Sequence, residues 1–154
     1  MISVLIFAAI LFGQSLSAPP SHSDGKSPGI FSVILDSPPG KAPAALQWEF
    51  SVPAAIAIVP ADITIGKAAQ SAHKSLTCAA RSSKPPVQRR LRYTCILAGG
   101  RDPIGNGSIA EVEYRPQWDV KGAPIRVTIE NILGASADLK RIPMENVDAR
   151  IEIQ

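Results

Sequence analysis

Few side chains in this chain are equipped for covalent or acid–base chemistry. There are two histidines, His22 and His73, and two cysteines, Cys78 and Cys95. His22 falls in a polar N-terminal stretch and His73 in a basic one, so neither is read as the base of a nucleophilic serine. Glu111 and Glu113 lie two residues apart, and paired carboxylates are what glycoside hydrolysis needs. Both fall on the wet side of one strand, where acids serve solubility. Asp102, Asn106 and Asp119 are oxygen donors, but they lack the Asp-x-Asp-x-Asp-Gly spacing of a calcium loop. Two cysteines without nearby histidines are too few ligands for zinc. Gly99-Gly100 is a turn, because no Gly-Lys-Ser/Thr follows it as in a phosphate loop. Asn106-Gly107-Ser108 fits a glycosylation sequon, relevant only in a eukaryotic source. The expectation is a chain with no catalytic residues, no metal and no cofactor.

What remains is binding. A glycan platform needs exposed flat rings, and the chain holds 2 Trp, 2 Tyr and 4 Phe. Trp48, Phe50, Tyr93 and Tyr114 all fall on the inward side of their strands, so they are read as core. Trp118, in the loop after Tyr114, is the candidate platform. Arg89-Arg90-Leu91-Arg92 is basic but has no interleaved exposed aromatics, which argues against nucleic acid. Charge is unevenly placed. Ile63 to Arg101 contains no acid and carries Lys67, Lys74, Arg81, Lys84, Arg89, Arg90, Arg92 and Arg101, although the net charge is only +3. Such asymmetry can steer a partner.

The elements that position these groups are strands. With 154 residues, 14 Pro and 11 Gly, the chain has room for one domain and is punctuated too often for long amphipathic helices. Leu46, Trp48, Phe50 and Val52 alternate with Ala45, Gln47, Glu49 and Ser51. Leu91, Tyr93, Cys95 and Leu97 alternate with Arg92, Thr94 and Ile96. Ala110, Val112 and Tyr114 oppose Glu111 and Glu113, while Ile125, Val127 and Ile129 oppose Arg126, Thr128 and Glu130. Further strands are expected at Ile30–Leu35, at Ile56–Val59 and Ile63–Ile65 broken by Pro60, at Ser75–Ala79 and at Val147–Ile153, with Val147, Ala149, Ile151 and Ile153 inward. A helical turn is expected at Gly66–Ala72. Period-two alternation marks antiparallel sheets with one buried face. The fold class predicted is all-β, an antiparallel sandwich of about eight to nine strands.

The N-terminus reads as an export signal. Ile2 to Phe12 is apolar but for Ser3, and it is too short to span a bilayer as a mature helix. Ser15, Ser17 and Ala18 follow, then Pro19 and Pro20. The expected organisation is a signal peptide at 1–18, a flexible leader at 19–28 and one domain at 29–154. No cysteine marks a lipid-anchored form, so the expected location is secreted, periplasmic or cell-surface, with no membrane insertion after processing. An exported pair of cysteines is more often a disulfide than two free thiols.

The order of motifs carries one resemblance. Ala44-Ala45-Leu46-Gln47-Trp48-Glu49-Phe50 leads through a Pro-containing turn to Ile65-Gly66-Lys67. Then come Gly105-Asn106-Gly107-Ser108-Ile109-Ala110-Glu111-Val112-Glu113-Tyr114, Gly122-Ala123-Pro124-Ile125-Arg126-Val127 and a closing strand. This resembles the cohesin family and its cohesin-like relatives outside cellulosomes. The resemblance implies a jelly-roll-like sandwich, shared with carbohydrate-binding modules, that is not an enzyme and docks a dockerin-like or envelope protein on one sheet. It implies a partner-binding face of Gln47, Glu49, Arg92, Thr94, Arg126 and Thr128, with Thr77 and Glu130 beside them. It also places Cys78 and Cys95 on adjacent strands. Two departures stand out: the usual first strand is expected to be shortened or missing, and most relatives lack the cysteine pair. The alternatives are a carbohydrate-binding module using Trp118 and a structural subunit of an envelope or secretion assembly.

Overall fold

A computed structural model of the chain describes residues 13–81, 90–117, 124–146 and 149–153. The alternating segments become strands and stack face to face. In chain order these are β1 (Gln14–Ser17), β2 (Ser21–Ser23), β3 (Gly29–Asp36), β4 (Ala45–Pro53), β5 (Ile56–Ala57) and β6 (Ile63–Ile65). A short helix α1 (Lys67–Ser71) follows, where the helical turn is expected. The remaining strands are β7 (Ser75–Arg81), β8 (Arg90–Ala98), β9 (Gly107–Pro116), β10 (Ile125–Ala135), β11 (Arg141–Ile142), β12 (Met144–Asn146) and β13 (Ala149–Ile153).

One sheet runs β12-β1-β3-β9, with β5 and β6 on the far side of β9. The other runs β2-β13-β10-β4-β8-β7, with β11 at one end of β10. The result is an all-β sandwich. Its strands are more finely divided than expected, because both chain ends change sheets. β1 and β12 pair in parallel in the first sheet, and β2 and β13 do so in the second. Pro19-Pro20 stands at the N-terminal crossing, where a residue without an N–H cannot extend a ladder.

The first strand, β1, is short at four residues, one of the two forms expected; it lies inside the segment read as a signal peptide and sits between β12 and β3. Local backbone structure also occurs within 19–28. Ser21–Ser23 forms β2, and the backbone N–H groups of Lys26 and Ser27 donate to Asp24 Oδ1 at 2.8 and 2.7 Å. These bonds hold the Asp24 carboxyl down at about 2. Periodicity was no guide here, because two- to four-residue strands are too short to show it.

The core lies between the sheets. Trp48, Phe50, Tyr93 and Tyr114 are buried, as their parity predicts. Phe50 stacks on Tyr93 with centroids 5.0 Å apart and meets Phe31 edge-on at 6.0 Å. Such pairs add about 0.5–1.5 kcal/mol each beyond their buried area. Tyr93 keeps its hydroxyl satisfied by donating to the Ile58 carbonyl at 2.8 Å. Leu91, at the same parity, is the exception: it is exposed at the end of β8.

Candidate interaction face

The outer face of β10-β4-β8-β7 collects the residues expected there. Cross-strand register sets them in rows. Thr128 faces Ser51, which faces Arg92 and then Arg81. Glu130 faces Glu49, which faces Thr94 and then Ala79. Leu133 faces Gln47, which faces Ile96 and then Thr77. Arg126 stands on β10, exposed and opposite Arg150 of β13.

Two glutamates directly opposite each other would repel. Each instead has its own arginine. Arg92 reaches Glu130 at 3.2 Å, and Arg81 reaches Glu49 Oε1 across β8. Glu49 departs from its expected role as an open contact residue, since it is only 5% exposed. Thr94 Oγ1 donates to its Oε1 at 3.3 Å and Asn131 Nδ2 to its Oε2 at 2.8 Å. Burial works against the charged carboxylate here. The Asn131 bond, the Arg81 charge and the Thr94 bond outweigh it, so the Glu49 carboxyl lies below its usual range. Arg90 forms a second stitch: it donates to Ser51 Oγ at 3.1 Å, to the Ser51 carbonyl at 2.8 Å and to the Arg126 carbonyl at 3.0 Å. The face is thus a stiff polar lattice with arginines at its surface.

Several of these residues escape sequence reasoning. Asn131 takes a left-handed φ of 53° where the register between β10 and β4 shifts after Glu130. That bulge inserts one extra residue and returns Leu133 to the outer face. Simple alternation puts Leu133 inward, yet it is 43% exposed, alongside Ile96 at 48%. Arg81 and Arg90 sit at the ends of their strands, where the pattern fades.

The other candidate groups go elsewhere. Glu111 accepts from Ser32 Oγ at 2.6 Å and from Ser108 Oγ, while Glu113 pairs with Arg115 at 3.0 Å. Both belong to the opposite sheet. His73 Nδ1 lies 3.8 Å from Asp102 Oδ2 beside a shallow cleft that Ser71 also lines. Both side chains of that pair are mostly in water. Asn106 closes a turn, donating to the Ser37 carbonyl at 3.1 Å and accepting from the Ser37 N–H at 2.9 Å. Gly25-Lys26-Ser27-Pro28-Gly29 has a Gly-x-Ser-x-Gly spacing. Ser27 Oγ is spent on Asp24 Oδ2 at 2.8 Å, in an exposed turn that leads to a strand, not to the helix a nucleophile elbow requires. No group of three metal-ligating side chains occurs among the described residues. Trp118 and Asp119 lie outside the described residues, as do the side chains of Val147, Ala149, Ile151 and Ile153.

Cys78 and Cys95 stand opposite each other on β7 and β8 and form a disulfide, with Cα atoms 4.1 Å apart. No protein-family model matches the chain, and no curated protein sequence does. Solved structures do. A cohesin of scaffoldin B from Acetivibrio cellulolyticus, in complex with a Cel5 dockerin variant, superposes with a TM-score of 0.75 at 11% identity, over 92% of this chain and 99% of that one. The Coh-OlpA cohesin of Clostridium thermocellum, in complex with Doc918, gives 0.73 at 12% identity, over 92% and 99%. The fold is cohesin-like. A non-cellulosomal cohesin from the archaeon Archaeoglobus fulgidus gives 0.68 at 13% identity, over 92% and 91%. At such identities the likeness is one of fold. No described helix of the chain is long and apolar enough to cross a membrane.

Proposed function

We propose that this chain is an exported, non-catalytic interaction module. It binds a dockerin-like or envelope protein through the outer face of β10-β4-β8-β7. The observation that carries this reading is the face itself. Gln47, Thr94, Arg92, Thr128 and Arg126 lie in register on one sheet, with the exposed apolar Ile96 and Leu133 beside Gln47. Several similar folds were solved with dockerins bound, which supports a protein partner. Export is supported by the apolar Ile2–Phe12 segment and by the disulfide, which persists in oxidising compartments.

The test is capture from the source organism's envelope and supernatant, with mass-spectrometric identification. A specific protein retained by the native chain, and lost when Arg92→Glu and Arg126→Glu are combined, supports the face. Capture that is indifferent to this reversal overturns it. Retention on insoluble polysaccharide that disappears with Trp118→Ala moves the function to glycan binding.

A further inference from the structure

We infer that residues Gln14–Ala18 are a permanent part of the folded domain, so that any leader processing cuts at or before Gly13. This rests on the export reading for its biological setting but not for its physical argument. Sequence pattern alone favours a cut after Ser17 or Ala18, because Ser15, Ser17 and Ala18 are the small residues a signal peptidase reads. That cut would remove β1.

β1 is not a peripheral strand. It pairs with β3 on one side (Ser15↔Asp36 to Ser17↔Ile34) and with β12 on the other (Gln14↔Met144 to Leu16↔Asn146). Its removal would separate β12 from β3 and leave two unpaired ladders facing each other across an empty lane. Leu16 is 0% exposed and belongs to the central core, and Ala18 is 5% exposed. Gln14 is buried as well, and its Nε2 donates to the Lys41 carbonyl. The lane matters to the proposed face because β12 runs into β13, and β13 is the neighbour of β10. Losing β1 therefore loosens one margin of the interaction sheet.

Two measurements on the full chain test this. In the first, the chain is expressed with its own N-terminus in an exporting bacterium, and the product outside the cytoplasm is analysed by intact mass and N-terminal sequencing. A product beginning at Gln14 or earlier is expected. A product beginning at Leu16, Ala18 or Pro19 overturns the inference. In the second, thermal unfolding of Leu16→Ala is compared with Ser17→Ala on the same strand. Leu16→Ala is expected to lower the midpoint by about 10 °C and Ser17→Ala by much less, as for loss of a buried leucine side chain from a domain of this size. Equal, small shifts overturn the inference. If the chain stays in the cytoplasm while Leu16→Ala still lowers the midpoint, the export reading fails and the strand assignment stands.

Discussion

Glu49 is the residue on which the face turns. Its carboxylate is buried beneath the sheet's outer surface and held charged by Asn131, Arg81 and Thr94. A group with a lowered folded-state pKa contributes stability above its unfolded value and loses it as pH falls through the folded value. The unfolded reference for a glutamate is 4.5, so the contribution is complete above that pH and fades below it. Glu49→Gln is therefore expected to cost about 1.5–3 kcal/mol at pH 7, the range for hydrogen bonds to a charged group. The penalty should shrink steadily as urea unfolding is repeated from pH 5 towards pH 3. A penalty that does not change with pH would mean the carboxylate's charge is irrelevant. Gly66 makes a different point at the same scale. Its φ of −80° is open to any residue. What demands glycine is contact, since a Cβ would lie 2.5 Å from the Ser108 backbone. Gly66→Ala should cost about 1–3 kcal/mol through overpacking, read as an earlier urea midpoint with an unchanged slope.

At the scale of elements, β7 is the exposed margin of the sheet that carries the proposed face. It follows β8 at the end of the strand order, and most of its residues are exposed. The Cys78–Cys95 bond closes a separation of 17 residues, for which loop-closure arguments give about 3 kcal/mol. The Cys78→Ser, Cys95→Ser double variant should thus melt about 6–12 °C lower, with the largest gain in hydrogen exchange on β7. Uniform exchange along both sheets would place the disulfide's effect elsewhere. How this element is recognised also shows what sequence can convey. The long strands β4, β8, β9 and β10 are legible because each alternates for several residues against one buried face. Their parity correctly buries Trp48, Phe50, Tyr93 and Tyr114. The disulfide's place follows from the resemblance in strand order. β1, β2, β11 and β12 are illegible because two to four residues carry no period, and because Leu16 sits in a stretch that also suits a leader. The site is legible only in part. Gln47, Thr94, Arg92 and Thr128 follow from alternation. The bulge that brings in Asn131 and Leu133, and the cross-strand reach that covers Glu49 with Arg81, depend on tertiary register.

The whole molecule carries its charge on two sides. The outer face of β10-β4-β8-β7 presents Arg81, Arg90, Arg92 and Arg126 against Glu49 and Glu130, while the β3-β9 face presents Glu111 and Glu113 with Arg115. A net charge of +3 understates this separation. A net excess of positive charge on one face acts mainly on encounter, because long-range attraction orients the partner before contact. Short-range fit then sets the lifetime of the complex. With the captured partner in hand, the association rate should fall steeply between 50 mM and 500 mM salt, where the Debye length drops from roughly 14 to 4 Å. The dissociation rate should change little. Arg92→Glu with Arg126→Glu should lower the association rate at low salt by about tenfold or more and flatten its salt dependence. By contrast, Ile96→Ala or Leu133→Ala should act on dissociation, because these side chains meet the partner only after docking. Surface plasmon resonance over a salt series separates the two effects. If the arginine reversals raise only the dissociation rate, the arginines make fixed contacts and steering is not their role. If neither rate moves for any of the four substitutions, the partner sits on another surface of the sandwich.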